Sequence, residues 1–261
     1  MLNADWLRAA VPGGGSPWKS VEVVASTGST NADLLARAHD GESEGLVLAA
    51  EEQRSGRGRH GRSWQSRTGA ALTFSVLLRP RQVPQSARGW LPLLAGVAVA
   101  AAVRSFAGVE ASLKWPNDVL AGEGKLAGIL AEQSGDAIVV GIGLNVLGQP
   151  GELPVPTATS LEQHGRGDVD RNGLLAEILG QLARWYQPWA ELWSGDPDQS
   201  GLRPAYAGLC TTLGRTVAVE LPGGKSLRGQ AVDVDFSGRL VVRPPAGPPA
   251  AVTAGDVIHV R

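Results

Sequence analysis

The sequence predicts an α+β fold, in which a mixed or antiparallel sheet with helices is followed by a small C-terminal β-barrel. The first observation is the order of elements between residues 20 and 146, which is strand-rich and lacks the regular strand–helix alternation of a parallel sheet. The second is a change of composition after about residue 205, where five short apolar runs alternate with Gly- and Pro-rich turns. We therefore expect a larger domain over residues 1–208 and a barrel over residues 209–261.

The composition is that of an ordinary globular protein, with 43% hydrophobic and 19% charged residues in a chain of 261. The formal net charge of −1 provides no overall field that would attract nucleic acid. The single cysteine, Cys210, rules out an intramolecular disulfide and indicates a reducing compartment. The N-terminus lacks the apolar segment of a signal peptide, and the longest apolar run, residues 91–103, is too short to span a bilayer. We therefore expect a cytoplasmic protein with neither a membrane nor a nucleic-acid partner.

The first half of the chain is predicted from its apolar runs and from one helix-start signal. Residues 1–20 are expected to form a short helix and a Gly/Ser/Pro-rich connector. Thr30, with Asp33 three residues later, forms a capping-box pattern, which predicts the start of a helix. The remaining elements are a buried helix, apolar on all sides, at residues 93–103, and strands at residues 21–24, 46–50 and 71–78.

The second half is predicted to contain a hairpin, a long helix and the strands of the barrel. Two apolar segments flank a glycine-containing turn at residues 122–125, as in a β-hairpin. The predicted helix, residues 172–193, carries an apolar stripe expected to pack in the core: Leu175, Ile178, Leu182, Trp185, Trp189 and Leu192. Strands are predicted at residues 111–115, 119–120, 126–130, 138–142, 216–220, 226–234, 239–242, 250–253 and 257–260, with a turn at 222–224.

Residues 56–64, Gly-Arg-Gly-Arg-His-Gly-Arg-Ser-Trp, form the most informative segment of the chain. Its first seven residues contain three arginines and three glycines. Glycine lets the backbone approach a ligand closely, and the guanidinium fork of arginine suits carboxylate and phosphate groups. The segment therefore predicts a loop that closes over an anion, although by itself it also fits a solvated basic turn.

The spacing of Gly56, Gly58 and Gly61 also matches the dinucleotide-binding fingerprint. That fingerprint requires a helix to follow and an acidic residue about 20 positions later. Here the next apolar run, residues 71–78, predicts a strand, and no acidic residue occurs between Glu52 and Glu110. These features argue against a dinucleotide site.

Five polar motifs occur at predicted strand ends, turns or helix starts. In chain order they are Ser29-Thr30-Asn31, the segment 56–64, Lys114-Trp115-Pro116-Asn117-Asp118, Gly124-Lys125-Leu126-Ala127-Gly128-Ile129-Leu130 and Gly141-Ile142-Gly143-Leu144-Asn145. Each motif is weak alone, but together, over residues 21–261, they resemble the biotin protein ligase (biotin–[acetyl-CoA-carboxylase] ligase) family. The likeness is to its monofunctional, actinobacterial type.

The resemblance implies a catalytic domain like that of class II aminoacyl-tRNA synthetases, followed by an SH3-like barrel. It implies ATP and Mg²⁺, the activation of biotin as biotinyl-5'-AMP, and transfer of biotin to a lysine of the biotin carboxyl carrier domain of acyl-CoA carboxylases. About twenty residues precede the first predicted strand, so we expect no operator-binding domain. A monomer or a weak homodimer is expected.

The resemblance also assigns roles to individual residues. It implies a catalytic group of Lys125, Arg57 and Arg59, with Asp118 as the candidate metal ligand. The implied biotin-binding residues are Ser29, Thr30, Asn31, Gln53, Arg57, Gly58, Arg59, Lys125 and Gly128. The implied ATP- and AMP-binding residues are Arg59, Arg62, Trp64, Lys114, Asn117, Lys125 and Asn145.

The chemistry of these residue types suits the implied reaction. A carboxylate must meet the α-phosphate of ATP, so cations that neutralise and align two anions are required. The neutral ureido ring of biotin needs donors and acceptors such as hydroxyls and an amide. Trp64 suits stacking on adenine, which contributes about 1–3 kcal/mol for bases in general.

Two other functions fit parts of the sequence. A lipoate or octanoate ligase or transferase would act on a similar carrier lysine, but its arginine and glycine pattern followed by His-Asp is missing here. A nucleic-acid-binding module would use the Arg-rich segment and the barrel, which the net charge of −1 and the low aromatic content of 5% disfavour.

Overall fold

The computed structural model describes residues 1–11, 13, 15–220, 226–253 and 256–259. Its helices are α1 (Ala4–Ala10), α2 (Thr30–His39), α3 (Leu91–Ala102), α4 (Arg171–Gln187) and α5 (Leu202–Leu209). Its strands are β1 (Ser20–Val24), β2 (Leu46–Ala50), β3 (Gly56–Arg57), β4 (Ser63–Trp64), β5 (Ala71–Leu78), β6 (Ala111–Lys114), β7 (Asp118–Ala121), β8 (Gly124–Ser134), β9 (Ala137–Asn145), β10 (Thr216–Glu220), β11 (Ser226–Val234), β12 (Leu240–Arg243), β13 (Ala250–Val252) and β14 (Asp256–His259). The predicted turn at residues 222–224 and the last residue of the predicted strand 257–260 lie outside the described residues.

The large sheet has seven strands in the order β1-β2-β5-β9-β8-β7-β6. Strands β1 and β2 run parallel, and the other pairs recorded in this sheet are antiparallel. The prediction of a mixed sheet is therefore confirmed. One line of paired residues crosses six of the strands: Ala50, Thr73, Gly143, Gly128, Asp118 and Lys114. Three of them, Gly128, Asp118 and Lys114, are predicted site residues.

The two faces of the large sheet have different coverings. Alternate residues of β5 and β9, such as Phe74 and Ile142, belong to the main core together with α3 and α4. The opposite face packs against α2, where Leu34 and Ala38 contact residues of β2, β5 and β9. Because α2 covers only part of that face, the remainder is left for the polar motifs.

Helix α2 begins one residue earlier than the capping-box pattern predicts. Ser29, not Thr30, is the N-cap, and its side chain accepts a hydrogen bond from the backbone N–H of Ala32. Thr30 is the first helical residue, and Asp33 instead accepts a hydrogen bond from the hydroxyl of Thr27. The side chain of Thr30 is thereby left for contacts with the sheet.

The predicted stripe of the long helix is confirmed except near its end. Leu175, Ile178, Leu182 and Trp189 are buried, Trp185 is half-buried against the core, and Leu192 is 72% exposed. Residues Pro188–Leu192 form a wider π-helical turn, in which Trp189 stays buried but Leu192 no longer faces the core. Cys210 is buried, and the buried helix predicted over 93–103 is confirmed as Leu91–Ala102.

The apolar helical region is longer than its sequence run suggests. Together with its flanking turns, the segment Gln85–Ala107 is long and apolar enough to cross a membrane, but 72% of its most apolar window is buried inside the protein. Extensive burial of this kind is typical of the core helix of a globular domain.

The C-terminal strands form a five-stranded antiparallel sheet in the order β13-β12-β11-β10-β14. Two buried tryptophans of the larger unit join it to the large sheet. The indole N–H of Trp90 donates to the carbonyl of Phe236 at 2.9 Å, and that of Trp115 donates to the carbonyl of Gly238 at 3.0 Å. Each tryptophan therefore contributes both apolar burial and a satisfied polar atom to the joint.

Three chain segments meet at the carboxylate of Glu51, which directly follows β2 and is 5% exposed. Arg171, at the start of α4, donates to it at 2.9 and 3.2 Å and also donates to the carbonyl of Ala71. The backbone N–H of Leu2 is a further donor. Burial acts to raise the pKa of Glu51, but the hydrogen bonds from Arg171 and Leu2 outweigh it and hold this pKa below the ordinary value.

Glu51→Gln should therefore lower the free energy of unfolding by roughly 2–3 kcal/mol at pH 7, because it leaves a buried guanidinium without its charged partner. A lowered folded-state pKa stabilises the fold above the unfolded value, and this contribution is lost as the pH falls through the folded pKa. The difference between the two proteins should therefore shrink below the ordinary value of 4.5. Urea unfolding at pH 7 and below pH 4 measures both quantities.

The control for this measurement is Glu110→Gln, because Glu110 pairs with Arg104 at 3.0 Å but its side chain is 89% exposed. A surface pair of this kind contributes about 0–1 kcal/mol. Equal losses in the two variants would show that Glu51 has no special structural role.

Candidate functional site

Three glycines in the middle of the large sheet form the floor of the candidate site. Gly143 of β9 and Gly128 of β8 are paired, and Gly141 lies two residues before Gly143 on the same face. A Cβ atom on Gly143 would lie 2.5 Å from Cζ2 of Trp64, and one on Gly141 would lie 2.9 Å from Cγ of Asn31. These positions are therefore glycine because side chains from other segments rest directly on the backbone of the sheet. We call Gly128, Gly141 and Gly143 the glycine floor.

The Arg/Gly segment forms a small hairpin that brings Trp64 onto this floor. Strands β3 and β4 pair Gly56 with Trp64, and the N–H of Gly58 donates to the carbonyl of Arg62 at 2.6 Å. The turn between them uses left-handed backbone at His60 (φ 56°) and Gly61 (φ 72°). The indole Nε1 of Trp64 is buried and has no hydrogen-bond partner among the described residues.

The three arginines of this hairpin differ in their surroundings. Arg57 and Arg62 are exposed, while Arg59 is half-buried. One guanidinium N–H of Arg59 donates to Oδ1 of Asn117 at 3.3 Å, and the Nδ2 of Asn117 donates to the carbonyl of Ile129 at 3.0 Å. Asn117 therefore links the hairpin to β8, next to the glycine floor.

A buried polar network lies where α2 meets the sheet. The backbone N–H of Thr30 donates to Oε1 of Gln53 at 2.8 Å, and the hydroxyls of Thr30 and Ser75 are 2.6 Å apart. The hydroxyl of Ser75 donates to Oδ1 of Asn31 at 2.6 Å. The structure therefore brings Thr30 and Asn31, from one motif, together with Gln53, which lies outside the five motifs. Ser29 beside them is buried and caps α2.

Lys125 lies on the opposite side of the floor, at the start of β8. Its Nζ lies 2.6 Å from Oδ1 of Asp118. The two groups form an ion pair, although their relative orientation is not that of a hydrogen bond. A Cβ on Gly128 would be 3.2 Å from Nζ and 3.4 Å from the Trp64 ring, so glycine leaves the space that the lysine occupies. Lys114 of β6 lies opposite Asp118 of β7 in the sheet, so a second lysine is present at this end of the sheet.

The backbone of Lys125 is held by a segment that no sequence motif included. Its N–H donates to the carbonyl of Thr157 at 2.8 Å, and its carbonyl accepts from the N–H of Thr159 at 2.9 Å. Asn145 donates through Nδ2 to the carbonyl of Thr159 at 3.0 Å. Part of the Asn145 side chain therefore fixes the segment that supports Lys125.

Contacts around the glycine floor bring together the predicted residues Thr30, Asn31, Gln53, Trp64, Asn117, Lys125 and Asn145, whereas Arg57 and Arg62 are exposed on the hairpin. The sequence reasoning missed Ser75, Glu132 and Thr159. Ser75 lies within an apolar predicted strand. A polar residue between Phe74 and Val76 was the sequence signal that could have indicated a buried polar contact there. Glu132 accepts from Nδ2 of Asn31 at 2.8 Å, and Thr159 acts mainly through its backbone, which leaves no side-chain signal.

Asp118 is the candidate metal ligand that the sequence suggested. Within the described chain, no three His, Cys, Asp or Glu side chains are grouped closely enough to hold a metal ion. The carboxylate of Asp118 already faces Lys125. Such a site does not fit an ion held by protein ligands alone, but it fits Mg²⁺ carried on substrate phosphates with one carboxylate nearby, which is the usual mode of this ion.

The arrangement combines cations with neutral donors and acceptors around a glycine floor. Lys125, Lys114 and Arg59 can neutralise anions at one end, while Thr30 and Gln53 offer a hydroxyl and an amide at the other. Such a site can hold a ligand with a polar uncharged head and an acidic tail, and can bring the acid against a second anion.

Two protein-family profiles match the chain. The profile described as "Biotin/lipoate A/B protein ligase family" matches residues 22–147, and "Biotin protein ligase C terminal domain" matches residues 212–260. Since the first description includes both biotin and lipoate, individual relatives are needed to separate these two substrates.

Two characterised relatives carry names that specify biotin or a ligase activity. The biotin–[acetyl-CoA-carboxylase] ligase of Mycobacterium tuberculosis is 46% identical over 100% of this chain and 96% of that protein. The bifunctional ligase/repressor BirA of Escherichia coli is 34% identical over 93% of this chain and 73% of that protein. The high coverage means that both matched profiles and the segment between them are included in the similarity.

A solved structure shares the fold. The biotin protein ligase of Aquifex aeolicus in complex with biotin and ATP covers 94% of this chain and 100% of its own, with a TM-score of 0.76 and 29% identity. The ligand-free form of that protein gives a TM-score of 0.75 at 25% identity.

Gly143→Ala should displace the Trp64 hairpin, because the added Cβ would lie within 2.5 Å of the indole ring. We expect trypsin to cleave the variant after Arg59 or Arg62 at least several-fold faster than the parent protein. Gly208→Ala is the matched control, since a Cβ there meets nothing within 4 Å. Equal cleavage rates in all three proteins would show that the contact does not hold the hairpin in place.

Proposed function

Because this chain belongs to the biotin protein ligase family and is an ATP-dependent biotin ligase, we propose that the face around the glycine floor performs both of its reactions. In the first, a biotin carboxylate oxygen attacks the α-phosphorus of ATP, the bond to the bridging oxygen of the β-phosphate breaks, and pyrophosphate leaves. In the second, a lysine amine attacks the biotinyl carbonyl, loses a proton, and releases AMP. The acceptor is the biotin carboxyl carrier domain of acyl-CoA carboxylases.

The observation that carries this proposal is the position of Lys125. Its ammonium lies beside Gly128, between the cations at the sheet edge and the Trp64 hairpin. At that place it can contact the carboxylate and the α-phosphate together and stabilise the negative charge that accumulates as they join. Lys125 needs no base function for this role, since the carboxylate is already ionised at neutral pH.

The ligand-binding groups divide along the floor. The biotin end comprises Ser29, Thr30, Asn31 and Gln53 with the backbone around Gly58, and the nucleotide end comprises Arg59, Arg62, Trp64, Lys114, Asn117 and Asn145. Arg57 and Arg59 approach from the hairpin above. Closure of this hairpin over the mixed anhydride would keep water away from a reactive carbonyl.

Mg²⁺ is proposed to arrive with ATP, and when bound it would neutralise phosphate charge. Asp118 is the carboxylate proposed to contact it, and Asp118 also orients Lys125 through their 2.6 Å ion pair. The described residues contain no cluster of metal ligands, so in this proposal Asp118 acts together with the phosphates of ATP.

The remaining parts of the proposal concern architecture and setting. We propose that the catalytic unit, residues 1–208, is of the class II aminoacyl-tRNA synthetase-like type, and that residues 209–261 form an SH3-like barrel. The antiparallel order of β10–β14 supports the second assignment. The protein is proposed to act in the cytoplasm, as a monomer or a weak homodimer, without nucleic acid.

ATP–pyrophosphate exchange tests the activity and its substrate in one experiment. Labelled pyrophosphate should enter ATP only when biotin is present, and lipoate and octanoate should give less than about 1% of that rate. Exchange with lipoate in place of biotin would assign the chain to the other substrate named in the family description.

Lys125→Met should slow the exchange at saturating biotin and ATP by at least about 10²-fold, which is the usual effect of removing one group that stabilises a transition state. Methionine fills a similar volume, so the thermal midpoint should stay within about 2 °C. Lys19→Met is the matched control, because Lys19 is an exposed lysine before β1. Exchange at the parent rate in Lys125→Met would remove this lysine from the reaction.

A further inference from the structure

We infer that Ser75 is a positioning residue that fixes the Thr30 hydroxyl as a hydrogen-bond acceptor, and that this polarity selects the N–H edge of the cyclic urea of biotin. The inference rests on the proposed function, since it names how one end of the proposed site distinguishes its ligand. Ser75 lies in β5, is fully buried, and belongs to none of the sequence motifs.

The orientation of Asn31 fixes the direction of the first hydrogen bond. Its Nδ2 lies 3.2 Å from the carbonyl oxygen of Leu130 and 2.8 Å from the carboxylate oxygen of Glu132. A backbone carbonyl can only accept, so the NH₂ end of the amide must point there. The oxygen end therefore faces Ser75, whose hydroxyl must donate its single hydrogen to it at 2.6 Å.

The same reasoning then fixes Thr30. Because the hydrogen of Ser75 is used on Asn31, its oxygen can only accept from the Thr30 hydroxyl, 2.6 Å away. The other side chain in reach is the Oε1 of Gln53, at 3.0 Å, and it is an acceptor because it already takes the backbone N–H of Thr30. Both neighbours are acceptors, so the single hydrogen of Thr30 points into the protein and lone pairs remain for a ligand.

Gln53 supplies the complementary donor. Since its Oε1 faces Thr30, its Nε2 is the end that remains to donate. This nitrogen lies against Gly56, where a Cβ would be 2.7 Å from it. The protein thus presents an acceptor and a donor side by side, which matches the adjacent N–H and C=O of a cyclic urea. The chain ends of lipoate and octanoate have neither group.

The test compares biotin with its cyclic carbamate analogues, in which one ring N–H is replaced by oxygen. Both regioisomers are measured by titration calorimetry on the full chain. The parent protein should bind one of them at least about 100-fold more weakly than biotin, because an ether oxygen would face the Thr30 lone pairs. In Ser75→Ala the nearer acceptor at 2.6 Å is lost and only the longer 3.0 Å contact to Gln53 remains, so the Thr30 hydroxyl can turn and donate more readily, and this penalty should fall to about tenfold.

Ser75→Ala should also bind biotin itself about tenfold more weakly, the effect of losing one buried hydrogen bond. The kcat of pyrophosphate exchange at saturating biotin and the KM for ATP should stay unchanged, since the nucleotide end is untouched. Ser112→Ala is the matched control, being a serine of the same sheet, on β6, outside the network. It should keep both the affinity and the 100-fold penalty.

A merely structural role of Ser75 would lower affinity for biotin and the carbamates equally. An unchanged ratio in a folded Ser75→Ala protein therefore overturns the inference. If Ser75→Ala does not fold, Ser75→Cys replaces it. The thiol is a weak donor to Asn31 and a weak acceptor from Thr30. The carbamate penalty should therefore lie between those of the parent and the alanine prediction, and the full 100-fold penalty in Ser75→Cys overturns the inference.

The outcome also separates this inference from the proposal on which it rests. A parent protein that does not bind biotin refutes the proposed function, whatever the variants do. A parent protein that binds biotin without disfavouring either carbamate refutes only the polarity assigned to Thr30.

Discussion

Direct packing of side chains on the backbone of the glycine floor is the constraint on which the site depends. Trp64 rests on Gly143, and Asn31 rests on Gly141, at distances that leave no room for a Cβ. A floor without side chains lets the hairpin and α2 approach the middle of the sheet from two sides. Because interiors are close-packed, a single methyl group there would have to move a whole segment rather than one side chain. The geometry of both ends of the site follows from this approach.

The two ends of the glycine floor differ in charge. At one end Lys125, Lys114 and Arg59 lie near a single carboxylate, so the local charge is positive and suits the meeting of two anions. At the other end the groups are neutral, and a chain of hydrogen bonds from Asn31 through Ser75 to Thr30 gives them a fixed polarity. Charge provides binding strength for phosphate and carboxylate, whereas polarity provides discrimination among uncharged rings.

Much of the fold was predictable because its elements carry strong local signals. Continuous apolar runs at 46–50 and 71–78 matched β2 and β5, and the all-apolar run at 93–103 matched the buried α3. The errors occurred where local patterns compete. Ser29 and Thr30 are both good N-cap residues, and the register against Gln53 decided between them. The sequence pattern extended the apolar stripe to Leu192, but the π-helical turn that begins at Pro188 leaves this side chain exposed to solvent.

The sequence by itself determined which residue types were available to the site, since motifs of glycine, arginine, lysine and asparagine stand out from their surroundings. It could not determine their distances, because the motifs lie on segments separated by up to 116 residues, from Ser29 to Asn145, and strand pairing alone brings them together. Tertiary structure also decided the roles of Ser75 and of the segment at Thr157–Thr159. The role of a lone serine in an apolar strand, or of a backbone carbonyl, depends on which group the fold places within hydrogen-bond distance of it.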